Sequence, residues 1–218
     1  MKFGLTEAKV SVPRLKAWTI NEVTFKGVEY KNGTSQNGNN WQAMQFNFEG
    51  ETGTYSKMFF CPNENGFERR SGESSSGKWV LPADAEVLME QLKYICTTLA
   101  KDAYAKVAGK IVVDLPGEFN KLYEYIAKIL KGAVGTKTNI KIVADSRGYA
   151  DIPRNAVRIS SSDDSVYISN RWLGDNLSFS AYELKTKDAA KAEKPSKVDD
   201  VEESNNDSSD DFGLDLEL

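Results

Sequence analysis

Histidine is missing from all 218 residues. That removes Ser-His-Asp chemistry, His-based metal sites and zinc fingers that need an imidazole. Cysteine is nearly missing as well. Cys61 and Cys96 are too few for a four-thiolate site. Their dissimilar local patterns read as two reduced thiols of a cytoplasmic protein rather than a disulfide. No apolar run approaches the roughly 20 residues that cross a bilayer, so no membrane partner is expected. The opening MKFGLTEAKVSVPRLKAW lacks the continuous apolar segment and cleavage site of a signal peptide. A Gly-rich phosphate loop of the GxxxxGKS kind is absent. Carboxylates are plentiful, yet in the body no Asp-x-Asp stands at the end of a clear strand, and Asp163-Asp164 falls in a Ser-rich turn. The expectation is therefore a protein that is not an enzyme and needs neither cofactor nor metal.

What the chain does have is charge, unevenly placed. It carries 28 Lys and Arg against 32 Asp and Glu. Residues 199–218, DDVEESNNDSSDDFGLDLEL, contain nine of the carboxylates and no Lys or Arg. Removing those nine leaves 28 cations against 23 anions in residues 1–198, so a cationic body carries an anionic tail. The tail tip alternates large apolar groups, Phe212, Leu214, Leu216 and Leu218, with Gly213, Asp215 and Glu217. A solvating terminus would not need that pattern.

Along the body, residues 1–14 read as an extended arm broken by Pro13. From Lys16 the pattern is that of strands: Trp18 and Ile20, Val23 and Phe25, then Val28 and Tyr30 alternate with polar neighbours. The phase slips before Val23 and again before Val28, which predicts a bulge or bend that Gly27 would permit. Residues 31–40 (KNGTSQNGNN) form a polar loop, 41–48 a second strand, 49–54 a turn and 55–61 a third strand. Residues 62–78 read as a mobile loop. Pro82 fits the first turn of a helix whose apolar stripe, Leu88, Leu92, Ile95, Leu99 and Ala103, runs to about Lys106. A short apolar run at 111–115 precedes a second helix carrying Phe119, Leu122, Ile126 and Ile129. Strands return at 139–144, 156–159, 165–169 and 177–184. From residue 186 the composition is too poor in large apolar groups to order itself.

Three strands, a helical connection and a closing set of strands match an α+β domain of mainly β content. The arrangement read here is an OB-like β-barrel with a two-helix insertion between strands 3 and 4. An open α+β sheet with helices on one face fits the same pattern. The domain covers residues 1–185, and residues 186–218 form a disordered linker and acidic tail.

Strands one to three and their loops carry the candidate ligand face: Trp18, Lys26, Tyr30, Lys31, Trp41, Tyr55, Lys57, Phe59, Phe67, Arg69 and Arg70. Rings stack on unpaired bases and cations follow phosphates, with no acid–base chemistry required. The competing reading is that aromatics in strands are core. The run Tyr55-x-Lys57-x-Phe59 argues for an open face, because a simple core face would not include Lys57. A second set, Arg147, Tyr149, Arg154, Arg158, Arg171 and Trp172, adds charge and rings but is interleaved with Asp residues, as a solvated outer face would be.

Together, these features resemble the phage-type single-stranded DNA-binding proteins, through the barrel architecture and the tail DSSDDFGLDLEL. The tail departs from the bacterial pattern, which ends in an Asp-Asp-Ile-Pro-Phe type tip, and the chain lacks the Cys/His zinc site of one phage branch. The resemblance implies a protein that coats exposed single-stranded DNA in replication, recombination and repair. It further implies recruitment of a polymerase, helicase or primase through Asp210, Asp211, Phe212, Leu214, Asp215, Leu216 and Leu218, with homo-oligomers possible. The alternative is a protein–protein adaptor or virion component whose acidic tail docks on a basic partner.

Overall fold

In a computed structural model, residues 14–75, 77–144, 149–153 and 156–192 are described, the last five by their backbone alone. Strand β1 (Thr19–Thr34) turns its phase part-way along its length. Val23 and Phe25 face inward and are buried; Lys26 is then an extra residue, as the register with β2 (Asn40–Gly50) steps from Phe25 opposite Phe48 to Gly27 opposite Asn47. The inserted residue returns Val28 and Tyr30 to the inner side, opposite Phe46 and Met44. Gly27, at φ 123°, takes the left-handed backbone that the bulge requires. The loop expected over 31–40 is much shorter, because β1 continues to Thr34 and β2 begins at Asn40. β3 (Gly53–Phe60) pairs antiparallel with β2 along its whole length.

Residues 62–78 are not an unstructured loop. A 3-10 turn, Glu64–Phe67, is followed by a hairpin of β4 (Arg70–Ser74) and β5 (Gly77–Leu81). Helix α1 (Asp84–Leu99) starts where Glu86 accepts a hydrogen bond from the Ala83 N–H at 2.9 Å, one half of a capping box. It buries Leu88, Leu92, Ile95 and Cys96 along one stripe. The stripe read as continuing to Lys106 is interrupted at Ala100 (φ −144°, ψ 49°), and a short α2 (Lys101–Ala105) follows. Residues 111–115 form no strand; Ile111, Val113 and Leu115 pack on the core from a connecting segment. Helix α3 (Phe119–Leu130) buries Phe119, Leu122, Ile126, Ile129 and Leu130, spaced by three and four as a core-facing helix demands.

β6 (Lys137–Ala144) pairs with the first half of β1, and β7 (Ala150–Asp151) with the end of β6. The main sheet thus has the order β3-β2-β1-β6-β7, every neighbouring pair antiparallel, and it curls around the core. β8 (Val157–Ile159) and β9 (Val166–Ile168) make a second separate hairpin. The strand expected over 177–184 is instead the approach to and first turn of α4 (Ala181–Ala192), so residues 185 and 186 both lie inside a helix. Among the described residues the fold is mixed α/β, with four α-helices and a mostly antiparallel curled sheet.

One core joins these pieces: Phe25, Phe46 and Phe48 from the sheet, Leu92 and Ile95 from α1, Phe119 and Leu122 from α3, and Trp172 from the segment after β9. Each such side chain contributes about 1.5–3 kcal/mol by leaving water. Trp172, counted above among candidate ligand residues, is fully buried, and its Nε1–H donates to Gln91 Oε1 at 2.9 Å. That bond removes the cost of an unpaired indole N–H in the core. Lys141 is the other unexpected interior residue. It is 1% exposed and donates to Glu183 Oε2 (3.1 Å), Asn170 Oδ1 (2.6 Å) and the Ser178 carbonyl (2.9 Å), which fastens α4 to β6.

The two edge strands of the sheet, β3 and β7, are connected by side chains. The Tyr55 hydroxyl donates to Asp151 Oδ1 at 2.7 Å and accepts from the Ile152 N–H at 3.2 Å. Lys57 Nζ reaches both carboxylate oxygens of Asp151, at 2.8 and 3.1 Å. Among the described residues no helix is long and apolar enough to cross a membrane, which says nothing of a β-barrel in one.

Candidate nucleic-acid interface

The registers of β1, β2 and β3 decide which side chains face out. On the outer side Gly33 stands opposite Trp41, Lys31 opposite Ala43 and Glu29 opposite Gln45. Across the next ladder Ala43, Gln45 and Asn47 face Phe60, Met58 and Ser56. Trp41 lies across Gly33 so closely that a Cβ there would sit 2.8 Å from its Cζ2; a side chain at Gly33 would push the ring off. The Trp41 and Phe60 rings meet edge to face, centroids 5.8 Å apart and planes at 71°, and Phe60 is 53% exposed. They form an open aromatic corner. Phe60 is not among the expected residues, because β3 carries rings on both faces and Lys57 in the sequence marks the other one as open.

The rest of this face is polar and internally matched. Lys31 pairs with Glu29, Lys26 with Glu49 at 2.7 Å, and Lys137 with Glu22 at 2.8 Å. Asn47 donates to Glu29 at 2.8 Å and accepts from Gln45 (2.8 Å) and Ser56 (2.7 Å). The Lys31 ammonium holds the Glu29 carboxyl below its ordinary range. The face is therefore not basic: each of these lysines already has a carboxylate beside it. Such exposed pairs are weak, so a phosphate exchanges for the carboxylate at small cost.

Tyr55, Lys57 and Phe59 do share one face, but it is the inner one. Tyr55 and Phe59 are buried, Phe59 edge-on to Phe46 at 5.6 Å, and Lys57 is held by Asp151. A lysine fits a core face here because its counter-charge arrives from a strand 94 residues later. Burial, then the neighbouring Asp151 charge, pushes the Tyr55 hydroxyl far up. Burial alone would raise Asp151, but hydrogen bonds from Lys57 and Tyr55 outweigh it and hold the carboxyl below its ordinary value.

Tyr30 is also inward: its ring packs 5.6 Å from Tyr123 and 6.4 Å from Phe119, and its hydroxyl donates to Gln42 at 2.7 Å. Trp18, at φ 60°, is half-buried with its ring 6.5 Å from Phe179. Phe67 is 39% exposed and borders a shallow apolar pocket with Met89, Val112 and Leu115. Arg69 is committed to structure. Its Nε and Nη2 bond Glu86 at 2.7–3.0 Å, and its Nη1 bonds Asp164 at 2.7 Å. Arg70 is exposed, 3.4 Å from Asp84. Arg158, Arg171 and Tyr149 are exposed. Arg147, Arg154, the arm before Arg14 and the whole tail with Asp210, Asp211, Phe212, Leu214, Asp215, Leu216 and Leu218 lie outside the described residues.

Both cysteines are free, and burial pushes the Cys96 thiol up to about 12 and the Cys61 thiol up as well. No protein-family model, curated protein or solved structure matches the chain.

Proposed function

We propose that this protein binds single-stranded DNA and catalyses no reaction on it. The observation that carries the reading is the Trp41–Phe60 corner, two rings held edge to face on the outer side of the sheet, Phe60 53% exposed and Trp41 half-buried over Gly33. Open rings on a rigid strand pair suit unpaired bases, each stacked base being worth roughly 1–3 kcal/mol, and suit no catalytic step. The sheet order supports it. With β6 and β7 counted as fourth and fifth strands, β3-β2-β1-β6-β7 with α1–α3 inserted after β3 is the order of an OB barrel, a fold that hosts oligonucleotides on this side. The charge division supports it too. A tethered acidic tail competes with phosphates for the cationic body at an effective concentration on the order of mM. Once a long strand displaces it, the tip from Phe212 to Leu218 is free to engage a replication protein such as a polymerase, helicase or primase.

Titration of the whole protein with fluorescent oligo-dT and with a duplex of equal length, at low and moderate salt, tests the reading. Binding should favour the single strand and weaken steeply with salt. Trp41→Ala and Phe60→Ala should each weaken it by roughly 5- to 100-fold, the equivalent of one lost stack. Equal binding by both variants and the parent, or no binding of either oligonucleotide, overturns the proposal. The second outcome favours an adaptor or virion component docking through its tail.

A further inference from the structure

The outer face offers rings without spare positive charge, so the phosphates of a bound strand need cations from elsewhere. A groove of about 590 Å³ lies beyond the free edge of β3, with Lys57, Phe59, Arg70, Leu81, Arg158 and Ile159 among its walls. Phe59 and Phe60 are neighbours pointing to opposite sides of β3, so the groove lies on the inner side of this edge strand. A bound strand leaving the aromatic corner reaches it by passing over the β3 edge.

The two short hairpins contribute strands to this groove, β5 on one side and β8 on the other. In β4–β5, Arg70 stands opposite Leu81 and Gly72 opposite Trp79, so all four share a face, and Arg70 and Leu81 line the groove. The Trp79 ring lies across Gly72, where a Cβ would sit 2.4 Å from its Cζ2, the same Trp-over-Gly device that presents Trp41. Every residue of β5 is exposed, Trp79 at 42% and Val80 at 53%, so the body covers neither face of this ribbon. In β8–β9, Arg158 stands opposite Tyr167, which is 43% exposed. Arg158 and Lys78 make no ion pair among the described residues. The groove's two carboxylates are engaged, Asp151 by Lys57 and Asp84 more loosely by Arg70.

We infer that this groove, with the hairpin faces that border it, is a second subsite for the same single strand, with phosphates on Arg70 and Arg158 in the groove and bases stacked on Trp79 and Tyr167 outside its walls. The inference rests on the single-stranded DNA reading. An unpaired Arg158 and a loosely paired Arg70 beside exposed rings on separate hairpins match a polyanion with π-faces. An acidic peptide would use the cations and the Val80–Leu81 surface and leave the rings idle.

The test is oligo-dT binding by the full chain, with about 20 nucleotides so that both subsites fill, read by fluorescence anisotropy across a salt series. Trp79→Ala should weaken binding by roughly 5- to 100-fold, and Trp79→Phe should restore most of it. Arg158→Ala should weaken it and lower the salt slope by about one phosphate contact. Arg158→Ala keeps the proposal testable if the hairpin tolerates no change at Trp79. If Trp41→Ala weakens binding while Trp79→Ala and Arg158→Ala leave affinity and salt slope unchanged, the groove is not a subsite although the outer face is. If the parent protein binds no oligo-dT, the underlying reading falls and this one with it.

Discussion

Asp151 accepts from Tyr55, from Lys57 and from the Ile152 N–H, which is 2.8 Å away. Asp151→Asn keeps the shape and removes the charge, leaving the Lys57 ammonium, 24% exposed, without its counter-ion. We expect a loss on the order of 1–3 kcal/mol, read as a lower urea midpoint at unchanged slope. The same residue bears on pH. Asp151, Glu86 and Glu183 all have folded values below their ordinary 3.8 and 4.5. Arg69 is the main cause at Glu86. At Asp151 and Glu183, burial opposes the shift and hydrogen bonds overcome it. A depressed folded value means stability that is present above the unfolded value and lost as pH falls through the folded one. Thermal unfolding midpoints should therefore hold near neutral pH and drop below about pH 4. The drop should be smaller in Asp151→Asn, which has one such carboxylate fewer.

Helix α4 is held by a local motif and a distant partner. Ser180 Oγ accepts from the Glu183 N–H at 3.2 Å while Glu183 Oε2 accepts from the Ser180 N–H at 2.7 Å, a reciprocal cap. The same carboxylate meets the buried Lys141. Glu183→Ala should cost about 3–5 kcal/mol by leaving that ammonium unpaired in the interior, whereas Lys141→Met with Glu183→Leu should recover much of it, both read by urea unfolding. The Ser-x-x-Glu signature at 180–183 stands in the sequence, but the alternation of Leu177 and Phe179 with Ser178 and Ser180 reads as a strand and hides it. The β1 bulge was legible because a long apolar alternation shows a phase slip plainly. The β4–β5 hairpin was not: RSGES and GKWVL have a sparse β pattern, and what holds Trp79 is a missing side chain at Gly72. On β3, the alternation Tyr55-x-Lys57-x-Phe59 points to the wrong face, because the carboxylate that lets Lys57 sit inward comes from Asp151 far along the chain, and Trp79 and Tyr167, on two separate hairpins, share no pattern in the sequence.

For the whole molecule, the separation of charge is the quantity to perturb. Deleting residues 199–218 removes nine carboxylates and turns the net formal charge from −4 to positive. The truncated protein should bind oligo-dT more tightly at low salt and lose partner recruitment; equal affinity with and without the tail would end the competition idea. The Tyr55–Lys57–Asp151 bridge has a different consequence. It joins β3 to β7 where a continuous ladder would otherwise run, so the main sheet ends in two strands whose outward N–H and C=O groups are not consumed by each other. Strand edges of this kind are templates for intermolecular pairing. A single carboxylate thus ties the two edges of the sheet together, and Asp151→Asn should raise the tendency of chains to associate through them, read by light scattering at neutral pH.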